Sequence, residues 1–306
     1  MSKITISTVE LFAKFPDAET ARGYLEKRLW PNGPVCPVCG SGENLTARKA
    51  GFYRCNPCTE DFTVRTNTIF ERSHIPLHKW LYAMYIVVTA RKSVSSLQLS
   101  KEIGITQKSA WFMLHRIREA CGDDLSMLSG VIEIDECYIG GKEGAKHESK
   151  KLKQGRGAVG KTPVMGMRER GGRTLAMPVC DTEQGTLQSA IYARVEPGST
   201  IHTDEAPAYG DMDGLFFRHQ QVNHSAGEFV RGQVTTNGIE SVWALLKRGV
   251  HGTFHHISPK HTGRYVNEFT FRLNDGNVKR HTSQRIDSLV DGVSNRRLTY
   301  KRLIAK

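Results

Sequence analysis

The chain has 306 residues, with 43 Lys and Arg against 31 Asp and Glu and a formal charge of +12. That length favours two or three units with separate cores, and the excess of positive charge favours a polyanionic partner, nucleic acid first. Residues Met1 to Glu10 lack the apolar stretch and small-residue cleavage site of a signal peptide, and the apolar run Trp80 to Ala90 is too short to cross a bilayer. Neither an exported nor a membrane-spanning protein is expected.

In chain order, Asp17 to Trp30 follow Pro16 and set Tyr24, Leu25 and Leu29 among charged residues, predicting a short amphipathic helix. Pro31 to about Arg65 is dense in Gly, Pro and Cys and too poor in aliphatics for an ordinary core. From Leu77 to about Cys121 the pattern is helical, interrupted at Gly104, which fits a three-helix unit. After Gly130, short apolar runs separated by glycine-rich turns (Val131 to Ile134, Pro163 to Met167, Thr174 to Val179, Ser199 to His202) predict strands. Helical patterning returns over Gly185 to Arg194 and again from Asn237, so the second half reads as mixed α and β. Val278 to Lys306 is basic and reads as a peripheral tail.

Seven cysteines are present, and four form the pairs Cys36-Pro-Val-Cys39 and Cys55-Asn-Pro-Cys58, fifteen residues apart. Two such turns can surround one tetrahedral Zn²⁺, a structural metal that replaces the missing core. Cys121, Cys137 and Cys180 are left as reduced thiols. The ribbon's functional reading is DNA contact, helped by Arg48, Lys49 and Arg54; the alternative is a scaffold that never touches DNA.

In SSLQLSKEIGITQKSAWFMLHRIR, residues Leu99, Ser100, Ile103, Gly104, Ile105, Ala110 and Met113 stand where two helices joined by a tight turn need them. Gly104 takes the turn and Thr106 caps the second helix. Such a helix-turn-helix offers Gln107 and Lys108 to base edges, with Arg116 and Arg118 nearer phosphates. A plain helical hairpin is the alternative.

VIEIDECYIGG sets Asp135 at the end of an apolar strand before a glycine-rich turn, and STIHTDEAPAY repeats the arrangement with Asp204. Two acidic strand ends can share divalent metals, because Mg²⁺ takes hard oxygen ligands and phosphates complete its shell. TTNGIESVWALLKR supplies a third ligand from a helix, Asn237 or Glu240. Its apolar face is Ile239, Val242, Trp243, Leu246 and Val250, with Glu240 and Lys247 together at the border. The alternative for Asn237 and Glu240 is a capping box. Glu136 and Glu205, each following an aspartate, read as surface or supporting residues. The basic hairpin between Lys142 and Lys161 carries Lys146, Lys150, Lys151, Lys153, Arg156 and Lys161, which can hold a phosphate backbone beside the carboxylates. His251, His255, His256 and His261 match no standard zinc spacing and read as DNA contact or packing.

Taken together, CPVCG with CNPC, the helix-turn-helix run, IEIDECYIGGKE with GRG and GKTPVMG, HTDEAPAY, and TTNGIESVWALLKRGVHGTFHHISPKHTGRYVNEFTFRLN resemble the zinc-ribbon, ISXO-two-like insertion-sequence transposases of bacteria, from about Phe15 to Asn277. The resemblance implies an α+β multidomain chain: an N-terminal helical segment (1–32), a zinc ribbon (33–70), a helix-turn-helix unit (71–128), a ribonuclease-H-like α/β catalytic domain (129–277) and the basic tail (278–306). It implies an Asp-Asp-Glu or Asp-Asp-Asn triad, carried to Asp135, Asp204 and Glu240 or Asn237. Lys247 stands where a basic residue often follows. Two Mg²⁺ or Mn²⁺ ions, DNA as partner (the element's terminal repeats and a target), a homodimer or larger synaptic assembly, and a cytoplasmic, nucleoid-associated location follow as expectations. The rival readings are a transcription regulator with an inactive catalytic domain and a nuclease that hydrolyses without joining.

Overall fold

The computed structural model describes residues 5–122, 126–141, 144, 147–152, 158–210, 212, 214 and 216–305. The chain divides into two compact units, Met1–Gly122 with Asp275–Lys306, and Asp123–Asn274.

The first unit opens with α1 (Thr8–Lys14) and α2 (Ala18–Leu29). Ser7 and Glu10 cap α1 reciprocally, and the Asp17 carboxylate accepts the Thr20 N–H at 2.7 Å to start α2. The strands β1 (Leu45–Lys49), β2 (Phe52–Cys55) and β3 (Asp61–Phe62) form a small antiparallel sheet. Its interior is little more than Cys36, Cys55 and Phe62 with Trp30, Leu45 and Tyr53 against them. Such a core is too small to stand alone without a cross-link.

Three helices follow: α3 (Leu77–Thr89), α4 (Ser96–Ile103) and α5 (Gln107–Ala120). Helix α3 buries Trp80, Leu81, Met84 and Val88, and no helix among the described residues is long and apolar enough to cross a membrane. Ser95 and Thr106 cap α4 and α5, accepting from Gln98 N and Ser109 N. Gly104 adopts the left-handed conformation between them, with φ 63° and ψ 51°, where a side chain would be strained. Leu99, Ser100, Ile103, Ala110 and Met113 are all buried. The Lys79 ammonium closes the end of α4 by donating to Ile103 O at 2.6 Å.

In the second unit, β4 (Val131–Ile139), β5 (Thr162–Glu169), β6 (Thr174–Pro178), β7 (Thr200–Thr203) and β8 (Arg218–Gln221) form one sheet in the order β6-β5-β4-β7-β8. The pairs β4–β5 and β5–β6 are antiparallel, whereas β4–β7 and β7–β8 are parallel. Period-two alternation divides the side chains between the faces. Ile132, Ile134, Met165, Met167 and Ile201 pack with Leu187 and Ile191 of α6 (Gln184–Tyr192). After the short ribbon of β9 (Val230–Arg231) and β10 (Val234–Thr235), α7 (Asn237–Gly249) and α8 (Thr262–Leu273) cover Cys137, Ile139 and Val164 on the opposite face. The predicted apolar face of α7 is the buried one.

Two glycines permit this packing. A Cβ on Gly166 would lie 2.5 Å from the Trp243 ring, and one on Gly249 would lie 2.1 Å from Phe269.

The basic C-terminal segment corrects the expectation of a peripheral tail. It forms α9 (Thr282–Asp291) and α10 (Tyr300–Ile304) and belongs to the first unit. Ile286, Leu289, Val290, Val293, Leu298 and Leu303 are buried, Arg285 donates to Val88 O, and Tyr24 and Arg28 bond Asp287 and Asp291. Charge density hid an amphipathic pattern whose arginines are used inside the fold.

Gly166→Ala should lower unfolding free energy by about 1–3 kcal/mol through overpacking against Trp243. Gly185→Ala, in α6 with open space around it, should be neutral or slightly stabilising. Chemical denaturation of both variants checks the contrast.

Candidate active site and metal centre

The sulfurs of Cys36, Cys39, Cys55 and Cys58 lie within 4.8 Å of one another. Cys36 and Cys58 are 3.6 Å apart and Cys39 and Cys55 3.5 Å, close to the edge of about 3.8 Å in a tetrahedron with Zn–S bonds of about 2.3 Å. The Ser41 amide and the neighbouring sulfurs draw the Cys39 thiol down to about 7. The donor set and spacing fit a structural zinc. All seven cysteines are free of disulfides.

Of the predicted acidic residues, Asp135 lies on β4, Asp204 just after β7 and Glu240 on α7, and their carboxylates form no ready metal cluster among the described residues. Asp135 stands on β4, where it pairs with Gly166, and the Trp243 indole N–H donates to its Oδ2 at 2.9 Å. The absent side chain at Gly166 is what lets Trp243 reach across. Asp204 follows β7, and its carboxylate accepts the Ala206 N–H at 3.0 Å, fixing the turn beyond the strand. Glu240 lies in the first turn of α7, 3.3 Å from the Thr236 hydroxyl and 3.7 Å from His224 Nε2. Burial raises the Asp135 carboxyl to about 6, and the charges of Asp204 and Glu240 push in the same direction. Three acids from two strands and a helix thus share one electrostatic neighbourhood, which hard divalent cations would neutralise.

The capping-box alternative for Asn237 and Glu240 does not hold. Asn237 is the first helical residue, the N-cap Thr236 makes no side-chain capping bond, and the Thr235 hydroxyl accepts the Asn237 N–H at 3.2 Å. A second cap comes from Glu133 on β4, a residue the sequence reading passed over. Its side chain is 5% exposed; Oε2 accepts the Ile239 N–H at 3.0 Å, and Oε1 accepts from Arg170 at 3.1 Å. The one signal in the sequence was an acid two residues before Asp135, on the same strand face, inside an apolar run. Trp243 was recognised as apolar but not as a donor.

Lys247 is exposed on α7, near enough to Cys137 for its charge to oppose the burial that pushes that thiol up to about 12. It therefore lies along the strand face that carries Asp135. Glu136 points to the other face, where burial and the Asp135 and Asp204 charges raise it to about 8. Glu205 is an anchor for the loop after β8, accepting from Ser225 and from the His224 and Ser225 amides, which hold it down at about 2.

Among the predicted nucleic-acid contacts, Gln107 and Lys108 are exposed at the start of α5. The Gln107 amide donates to Ser96 Oγ at 2.9 Å, and the Lys108 ammonium sits 4.7 Å over the Tyr300 ring. Arg116 is a correction: it is 6% exposed, donates to Leu298 O and Glu71 O, and burial draws it down to about 10. Arg118, 1% exposed, is also inside. Both fall on the helix face that packs, so neither meets a phosphate. Lys151 pairs with Glu148 at 2.7 Å, and Lys161 lays its stem against Gly140. Lys146, Lys153, Arg156 and the side chain of Lys150 lie outside the described residues.

Residues 127–274 match the ISXO2-like transposase domain, and residues 16–61 match the transposase zinc-ribbon domain. An uncharacterized protein in transposable element ISH50 of Halobacterium salinarum is 29% identical over 247 residues, covering 76% of this chain and 83% of that protein. Among solved structures, a simian T-cell lymphotropic virus intasome in complex with PP2A regulatory subunit B56 gamma matches at TM-score 0.28 and 18% identity, over 64% of each chain. A pre-cleavage Mos1 transpososome matches at TM-score 0.20 and 10% identity, over 70% of this chain and 79% of that one. At these scores the two structural likenesses carry no argument.

Gently purified protein should contain one zinc per chain, and Cys55→Ser should remove it and lower the melting temperature. Metal analysis with thermal denaturation reads both, and a metal-free wild type that melts like the zinc form would refute the assignment.

Proposed function

We propose that this chain, a zinc-ribbon member of the ISXO2-like transposases, binds the ends of an insertion sequence and cuts and joins DNA with a two-metal carboxylate site. The observation that carries the reading is the electrostatic coupling of Asp135 to Asp204 and Glu240, whose charges add to burial in raising its carboxyl. The strand order, with a long central β4 flanked by an antiparallel pair on one side and parallel strands on the other, supports a ribonuclease-H-like reading of the second unit.

Asp135, Asp204 and Glu240 would hold Mg²⁺ or Mn²⁺. When bound, such ions supply activation of the attacking oxygen and charge neutralisation at the phosphate. The protein's own part is positioning. Trp243 fixes the rotamer of Asp135, Thr236 and His224 hold Glu240, and Lys247 offers a cation to a neighbouring phosphate. In cleavage, water attacks a phosphodiester and a 3′ hydroxyl leaves; in joining, that hydroxyl attacks a target phosphodiester, whose own 3′ oxygen leaves. Neither step needs a covalent enzyme intermediate. Glu240 ranks before Asn237 as third ligand because a carboxylate neutralises metal charge and an amide does not.

DNA recognition is assigned to the α4–α5 pair as a helix-turn-helix, with Gln107 and Lys108 at base edges. Lys151 and Lys161 are assigned to the backbone. A dimeric or larger complex of this chain would hold two ends together.

Asp135→Ala and Asp204→Ala should abolish cleavage and joining of a pre-cut 3′ end in Mg²⁺ while end binding persists. Glu240→Gln should do the same, and Asn237→Ala should retain chemistry. Joining at near wild-type rate by both aspartate variants would return the chain to the regulator class, and hydrolysis with no joined product would make it a nuclease. Lys108→Ala should reduce discrimination between terminal-repeat and scrambled duplexes, whereas Lys161→Ala should weaken both alike. Competition binding measures the difference.

A further inference from the structure

At the far end of β4, about 270 Å³ of cleft lies between the Gly140–Gly141 turn and the segment after α7, lined by Ile139, Val250, Ile257 and three exposed histidines, His251, His255 and His256. Helix α7 does not stop at Gly249. It widens over Val250–Phe254, and the His255 N–H closes the turn on Val250 O at 2.8 Å, five residues back. Wide turns of this kind collect at functional sites. His255 has φ 58° and ψ −41°, a backbone region disfavoured for any residue but glycine. That conformation brings His255 and His256 to the mouth of the cleft.

The lining chemistry selects the ligand. Two other clefts hold Glu205 with Glu228 and Glu136 with Glu183, whereas the described residues lining this one include no carboxylate. The four cysteines form the one ready cluster of metal-ligating atoms among the described residues, so the histidines do not converge as a metal nest. What remains is a small open cleft offering imidazole donors beside a glycine turn. The first stem carbons of Lys161 lie beside Gly140, 3.0–3.2 Å from where its Cβ would stand. Such a set suits a tetrahedral oxyanion.

We propose that this cleft is a phosphate subsite for the DNA strand, formed by His251, His255 and His256 with Lys161 beside Gly140. The proposal rests on the transposase reading of the same unit and adds a second anchor to it. Five residues of strand separate Asp135 from Gly140, roughly 17 Å at about 3.4 Å per residue. Neighbouring phosphates of one strand lie about 7 Å apart and the strand winds round the duplex axis, so the anchored phosphate lies roughly three nucleotides from the one at the carboxylates. Two fixed phosphates define the strand's direction across the sheet, which one cannot.

The test uses the full zinc-loaded chain and a duplex carrying the terminal repeat that flanks the gene, with a neutral methylphosphonate replacing one phosphate at a time. Wild type should lose about 5–10-fold in affinity at one position roughly three nucleotides from the cleavage site. His251→Ala/His256→Ala should lose a similar factor on the unmodified duplex and no longer respond to that position. His255→Gly removes an imidazole at a backbone angle glycine accepts, so it should weaken binding without lowering the melting temperature. An unchanged interference pattern in the double variant overturns the subsite and leaves the transposase reading standing. Weaker binding with every position still sensitive, or only in variants that melt early, assigns the histidines to packing and also overturns it. A wild type without affinity for any duplex removes the DNA-cutting function and the subsite together.

Discussion

The second unit depends on one buried carboxylate. Glu133 sits in the central strand and faces the start of α7, whose N-cap residue makes no side-chain capping bond. A helix N-terminus carries roughly half a positive charge and unpaired N–H groups, so a carboxylate there is favoured where water is excluded. An isolated buried carboxylate would cost several kcal/mol, and Arg170 on its second oxygen offsets that. The pairing gives α7 both a height above the sheet and a rotation about its axis. Asp135, two residues further along the same strand face, then meets Trp243, and Glu240 comes close enough for its charge to act on Asp135.

Once α7 is fixed there, the acidic edge follows at a cost. Asp135 is held up near 6 by burial, with Asp204 and Glu240 adding to it. The fold retains this unfavourable grouping because its stability comes from elsewhere: the Ile132–Ile134 and Met165–Met167 layer against α6, and the Trp243, Leu246 and Phe269 layer against the opposite face. Gly166 is the hinge between packing and chemistry. Its missing side chain admits the Trp243 ring to the sheet, and the same ring delivers the N–H that orients Asp135.

Much of this was legible beforehand, for identifiable reasons. The cysteine spacing reports the metal geometry directly, and the positions around Gly104 report a turn that only certain residues tolerate. The face of α7 could be read because helical periodicity is strict. The capping role of Glu133 could not, because it joins residues 106 apart in sequence, and local pattern carries no such distance. Strand β8 was missed because Arg218, His219, Gln220 and Gln221 are polar; parallel pairing with β7 makes it a strand. The C-terminal helices were missed because their arginines read as a solvated tail.

Those arginines bear on how the charge of +12 is interpreted. Arg116 and Arg118 in α5 and Arg285 in α9 are buried, and Arg28 and Arg296 reach Asp291 and Glu119 O within the first unit. Cations of this kind hold helices together and release no counterions when DNA arrives, so the net charge overstates the electrostatic footprint. The cations left to meet a polyanion include Lys108 at the start of α5 and Lys161 beside Gly140. Lys247 adds a third, on α7 along the Asp135 face. Two of these three lie in the second unit, along the strand face and strand end to which the chemistry is assigned under the proposed function. Under the proposed function, such cations would align the strand at the carboxylates more than they would add bulk affinity.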